Sequence, residues 1–185
     1  MMIIVFYKKN MKTRHLPLFK NNLNNLMRKV PLSKIKIESK LAIVRDAISE
    51  LEKIGIEFSQ EEFERNKEKF AVAEHFLRRA LEAVFDIGGH IISRFPYSPG
   101  KRPKTFKEIA LELGEKRVVD SKFAKDKLVE MAGYRNRMVH FYDEITPKEL
   151  YLIITKDLKD LDMIASAIIA VANNPEQFDL SIEDE

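Results

Sequence analysis

Cysteine is absent from the sequence, which excludes disulfide staples, thiolate zinc sites, iron–sulfur clusters and a cysteine nucleophile, and fits a reducing compartment. The histidines stand at 15, 75, 90 and 140. No two have the three- or four-residue spacing that puts a pair of imidazoles on one helical face, so no metal site is expected. No apolar run approaches the roughly 20 residues of a membrane-spanning helix. The longest near the start, Met1 to Tyr7, lacks the preceding basic segment and small-residue cleavage site of a signal peptide, and the cytoplasm is the expected location. P-loop, Gly-x-Gly-x-x-Gly and Gly-x-Ser-x-Gly patterns are missing too, which removes glycine-loop nucleotide cradling and serine-triad chemistry. Gly88-Gly89 lies within an apolar helical pattern, where close packing or a kink is the better explanation. No cofactor is expected.

What is present is a chain of 185 residues, 33% charged and 45% hydrophobic, enough for one soluble domain with a single core. The net charge of +3 is too small to argue for nucleic-acid binding, but it is unevenly placed. Residues 1–40 carry ten Lys/Arg against one acid, Glu38, whereas residues 173–185 carry five acids and no base. Residues 1–33 stand apart: a short β-like run, Ile3 to Tyr7, precedes a polar stretch with five Asn between 10 and 25 and no helical period. This segment is expected to be a disordered extension or an over-called start, with Met11 and Met27 as alternative initiators. The expected organisation is an extension at 1–33, a helical domain at 34–172 and an acidic tail at 173–185.

From Ser33 onward the punctuation is helical. Ser33 can cap a segment in which Ile37, Leu41, Val44, Ile48 and Leu51 recur at helical spacing, with Gly55 as a left-handed C-terminal cap. Ser59 to Glu62 forms a capping box that opens a second helix of more than thirty residues, through Phe63, Phe70, Leu77, Leu81, Phe85 and Ile92. Pro96 to Pro103 is a loop by composition, and basic. Thr105 to Glu108 is another capping box, opening a short helix ended by Gly114. Asp120 or Ser121 caps a fourth helix with Phe123, Leu128, Met131 and Tyr134 on its apolar side. Thr146-Pro-Lys-Glu149 places an N-cap, a proline at the first helical position and a capping Glu in register for a last helix that Asn173-Asn174-Pro175 ends. The fold class is therefore all-α, an antiparallel bundle of about five helices.

The segment Gly133 to Asp143 packs two Arg, an Asn, a His, two Tyr and an Asp into eleven residues. On a continuous helix Asn136 and His140 share a face, while Arg135 sits about 140° round from the histidine. Such a set suits a phosphodiester: guanidinium stabilises charge on a phosphoryl oxygen, the amide orients it, and an imidazole moves a proton near neutral pH. RNA cleavage by its own 2′-OH needs no metal. The same residues also suit a solvated helix end whose imidazolium is favoured by the helix dipole.

Arg135-Asn-Arg-Met-Val-His140-Phe-Tyr142 matches the Arg-x4-His-x-Tyr signature of the HepT-type HEPN ribonuclease toxins. Phe70 to Ile92 resembles that family's long second helix, Met131 to Asn136 its approach to the active site, and Ile145 to Tyr151 the turn into its last helix. The likeness covers roughly residues 34–170. It implies an HEPN-like bundle that is a metal-independent endoribonuclease, the toxin of a type VII-like toxin–antitoxin pair. In it Arg135 stabilises the transition state, Asn136 supports phosphate placement and His140 transfers protons. The resemblance further implies a homodimer with paired motifs, an RNA substrate, and a separate minimal nucleotidyltransferase as antitoxin that adenylylates Tyr142. The bulky anionic nucleotide would block and repel an RNA phosphate there. In-line attack wants both a base and an acid, and a two-fold axis would supply the second histidine. RNA contact is expected at Arg94, Lys101, Arg102 and Lys104 of the basic loop and at Arg137. The alternative is a non-catalytic HEPN module that binds a nucleotidyltransferase or a nucleotide.

Overall fold

Ser33 opens the first helix by accepting the Lys36 amide on its hydroxyl at 3.3 Å, and α1 (Lys34–Glu57) follows with Ile37, Leu41, Val44, Ile48 and Leu51 buried. The computed structural model describes residues 30–139 and 145–184. Among these residues the chain is an all-α bundle of six helices with almost no sheet, and Pro31–Glu185 forms one compact unit. No helix among them is long and apolar enough to cross a membrane.

Gly55 is not a cap. It lies inside α1, which runs on to Glu57 and is capped by Phe58 in extended backbone. A Cβ on Gly55 would meet Thr155 Cγ2 at 3.4 Å, an ordinary contact, so neither a turn nor a close approach requires glycine here. The long second helix is in fact two, α2 (Gln60–Arg65) and α3 (Lys67–Ile92). Asn66 separates them at φ −101° and ψ 90°, and its side chain accepts the Lys69 amide at 3.0 Å. An Asn side chain that caps a new start competes with helix continuation, while the apolar period runs across the break undisturbed. Phe63 of α2 is fully buried and packs on Phe70 and Tyr151, with ring centroids 6.4 and 5.6 Å away.

Both expected capping boxes form, at Ser59/Glu62 and Thr105/Glu108. α4 (Phe106–Glu115) packs tightly on α3: a Cβ on Gly88 would lie 3.1 Å from Leu113 Cδ1 and 3.2 Å from Ile109 Cγ2. Gly88 therefore serves close packing, whereas a Cβ on Gly89 would meet Ile109 Cδ1 only at 3.5 Å. Gly114 does not end α4, which continues through Glu115, and the left-handed residue in this turn is Arg117, φ 59°.

α5 (121–137) begins at Asp120, which accepts the Lys122 and Phe123 amides at 2.8 and 3.0 Å. It passes through a π-turn, Ala124–Leu128, before Val129–Arg137. α6 (147–173) has the same construction: Pro147–Leu152, a π-turn at Ile153–Asp157, then Leu158–Asn173. Lys127 ties the two interruptions together, reaching Asp157 at 3.3 Å and the buried Asp160 at 3.2 Å.

The bundle is closed by a two-residue parallel ribbon. β1 (Leu32–Ser33) pairs with β2 (Ile182–Glu183), Leu32 opposite Ile182. Leu32 is fully buried, Leu180 is buried, and Lys34 meets Asp184 at 2.9 Å. Ordered packing therefore extends beyond residues 34 and 172 on both sides. A 3-10 turn at Pro175–Phe178 brings the acidic segment round to make this pairing.

Candidate active site

Arg135 lies in the last turn of α5 and is held by stacking. Its guanidinium carbon is 4.5 Å from the centroid of the Phe106 ring. Phe106 is the first residue of α4 and packs in turn on the buried Phe85 of α3, centroids 5.2 Å apart. Nη2 reaches Glu82 Oε1 only at 3.5 Å, and Nε is buried with no hydrogen-bond partner. A ring beneath the cation holds it without consuming its N–H groups, and an unsatisfied buried donor is costly until an acceptor arrives. The side chain is 21% exposed, enough to meet an anionic oxygen at the surface.

Asn136 follows on the exposed side of α5. The face shared by Asn136 and His140 required a helix continuing to residue 140, but α5 ends at Arg137 with Met138 as its cap. His140 and Tyr142 lie outside the described residues.

Arg137 is gripped by Glu149 of α6. Its Nη1 and Nη2 donate to the two carboxylate oxygens at 2.5 and 2.9 Å, and its guanidinium carbon lies 5.8 Å from the Tyr134 ring centroid. These bonds, ahead of the Thr146 backbone amide, hold the Glu149 carboxyl below the usual carboxylate range. The capping Glu of the sequence thus has a second and stronger attachment. Tyr134 donates to Glu130 at 3.2 Å, and burial first, then the Glu130 charge, push its hydroxyl up to about 12.

Of the basic loop, Lys101, Arg102 and Lys104 are exposed. They share a groove with Glu108, Glu112 and Glu115. Arg94 turns inward, with Nη1 donating to Ser93 Oγ at 3.4 Å and Nη2 lying 3.5 Å from His90 Nδ1. The loop feeds directly into Phe106, so Lys104 stands two residues before the platform of Arg135. Among the described residues no three His, Asp or Glu side chains converge as a metal site would require.

Three contributors escaped the sequence. Phe106 was visible only as part of a capping box, Glu82 as a polar position on α3, and Glu149 as a cap. Each meets its arginine through tertiary packing, which no local spacing encodes.

A six-helix bundle with an arginine-centred cluster at the end of its fifth helix is an HEPN-type domain. The chain belongs to the ribonuclease HepT-like family, whose model matches residues 44–168, a span that holds Glu82, Phe106, Arg135 and Glu149. It is similar to the tRNA nuclease HepT of Aphanizomenon flos-aquae, 28% identical over 132 residues that cover 71% of this chain and 86% of that protein.

Proposed function

We propose that the chain is a cytoplasmic, metal-independent endoribonuclease, the toxin of a type VII-like toxin–antitoxin pair. The observation that carries this reading is Arg135, stacked on Phe106, paired with Glu82 only at 3.5 Å and left with an unpartnered Nε, inside the span matched by a ribonuclease family. The RNA 2′-OH attacks the adjacent phosphorus, the bond to the 5′-oxygen breaks, and a 2′,3′-cyclic phosphate and a 5′-OH remain. Arg135 donates to the non-bridging oxygen whose charge grows, Asn136 supports placement of the phosphate, and His140 transfers the proton. A homodimer brings a second His140, so that one imidazole takes the 2′-OH proton while the other gives one to the leaving oxygen.

Lys101, Arg102 and Lys104 carry the RNA backbone toward Phe106, with Arg94 and Arg137 contributing less because their guanidiniums are engaged internally. A separate nucleotidyltransferase silences the toxin by adenylylating Tyr142. The named substrate of the similar nuclease makes tRNA the first RNA to try.

The test is cleavage of tRNA and total RNA by the purified chain in excess EDTA, beside Arg135→Ala and His140→Ala of matched circular dichroism. Wild type is expected to leave 2′,3′-cyclic ends, and each variant to lose on the order of 100-fold or more in rate. An inactive wild type whose Tyr142 is unmodified by mass spectrometry would overturn the reading in favour of a binding module.

A further inference from the structure

Two arginines of α5 are held in opposite ways. Arg137 has a carboxylate fork, with Glu149 accepting from Nη1 at 2.5 Å and from Nη2 at 2.9 Å. Arg135 has a ring. Its guanidinium carbon lies 4.5 Å from the Phe106 centroid, the Glu82 carboxylate stays back at 3.5 Å, and Nε is buried without a hydrogen-bond partner. A carboxylate at contact distance would cancel the charge and occupy the N–H groups that a phosphate needs, whereas an aromatic ring attracts the cation and leaves its donors open.

The ring is itself fixed before any ligand arrives. Phe106 is the first residue of α4, in a turn of the kind where helices fray. Here Glu108 accepts the Lys104 and Thr105 amides at 2.6 and 3.0 Å, and Thr105 accepts the Glu108 amide at 3.2 Å. The Phe85 ring, 1% exposed, supports Phe106 from α3 at 5.2 Å between centroids. Glu82 and Phe85 are three positions apart on one face of α3, so a single turn of helix supplies both the support of the ring and the distant carboxylate.

We propose that Phe106 is a positioning residue for RNA cleavage: its ring, fixed by the α4 capping box and by Phe85, holds the Arg135 guanidinium in place for the phosphoryl oxygen whose charge grows in the transition state. The inference rests on the ribonuclease reading above. Without the ring, the arginine would have to give up its rotamer freedom at the reacting moment, a cost that the ring removes in advance.

The experiment uses the full chain and tRNA in EDTA, with Phe106→Tyr, Phe106→Leu, Arg135→Ala, the Phe106→Leu/Arg135→Ala double variant and Leu113→Val. Leu113 is fully buried against Gly88, so its substitution loosens the same pair of helices and leaves the ring in place. Thermal melts rank the variants, and Phe106→Met replaces Phe106→Leu if that one fails to fold. Phe106→Leu keeps an apolar side chain on Phe85 without the ring, and is expected to lose roughly 10- to 100-fold in kcat. KM and the salt dependence of RNA binding stay at wild-type values. Phe106→Tyr keeps most of kcat, Leu113→Val loses stability without that loss of rate, and the double variant is no slower than Arg135→Ala alone. Equal losses in Phe106→Tyr and Phe106→Leu, a kcat that follows melting temperature across the set, or losses that multiply in the double variant would overturn the proposal and leave the ring a packing residue. If wild type itself does not cut, the ribonuclease reading fails separately, and the NMR signal of the Arg135 Nε–H, assigned by its loss in Arg135→Ala, decides whether the ring holds the cation. A signal displaced in Phe106→Leu and kept in Phe106→Tyr supports the holding, and one unchanged in both overturns it.

Discussion

His90 is 8% exposed on α3, with Nε2 accepting the Ser33 amide at 3.0 Å and Nδ1 facing Arg94 Nη2. With Nε2 accepting, the one proton of the neutral ring sits on Nδ1 beside the Arg94 cation, and a second proton would have to displace the Ser33 amide from Nε2. Burial first, then the charges of Arg94 and Lys36, push its pKa from 6.5 down to about 4. Because the folded value lies below the unfolded one, the unfolded chain binds more protons as the solution is acidified. Stability from this group is complete above pH 6.5 and is lost as the pH falls toward 4. The urea midpoint of the wild type is expected to drop between pH 7.5 and 5, and His90→Gln, which keeps an acceptor, to flatten that drop. An equal drop in both proteins would place the acid sensitivity elsewhere. On a helix otherwise full of Leu, Phe and Ile such a histidine was legible in the sequence as a packed or a surface side chain rather than a catalytic one. Its bond to Ser33 was not, because 57 positions separate the two.

Among the elements, α4 and α5 meet where neither has a side chain to spare. A Cβ on Gly114 would lie 2.7 Å from Ala124 Cβ in the π-turn of α5, whereas Gly133, one helical stretch later, has nothing within 4 Å of that position. Gly114→Ala should therefore destabilise by roughly 1–3 kcal/mol through forced separation of the helices. Gly133→Ala, at an exposed helical position, should instead stabilise by up to about 1 kcal/mol. Chemical denaturation of the two variants checks the opposite signs. The caps at Ser33, Ser59, Thr105 and Thr146 could be read from sequence because each is a bond between residues three apart. The break at Asn66 and the two π-turns could not, since each leaves the apolar residues on the buried side and changes only the backbone pairing. The site divided along the same line. Arginine, asparagine and tyrosine were visible as a local cluster, but the ring under Arg135 and the carboxylate on Arg137 come from other helices.

For the molecule as a whole, Pro31–Glu185 is compact on its own, and its apolar core runs from Leu32 to Leu180. A chain begun at residue 30 is expected to keep its helical circular dichroism and its cooperative urea transition. Removal of 180–185 should be costly by contrast, since Leu180 and the cover of Leu32 are both lost, and a buried leucine contributes about 1.5–3 kcal/mol. Comparison of the two truncations by denaturation tests the boundary directly, and an unstable chain begun at residue 30 would assign residues 1–29 to the domain. The composition shift puts this boundary at residue 33, and the chain begun at residue 30 is what tests it. The acidic end was read by its charge alone, while its packing is carried by Leu180 and Ile182.

The ribbon of β1 and β2 also has a consequence in time. Lys34 and Asp184 are 150 positions apart, so the helical domain's opening residues wait through nearly all of its synthesis for the partners that cover them. A nascent chain can assemble α1 to α5 as they emerge, but the seam shuts only when residues 180–183 have cleared the ribosome. Emergence of residues 180–183 is thus the event that locks the bundle, and a chain stopped before them would be left open at Leu32.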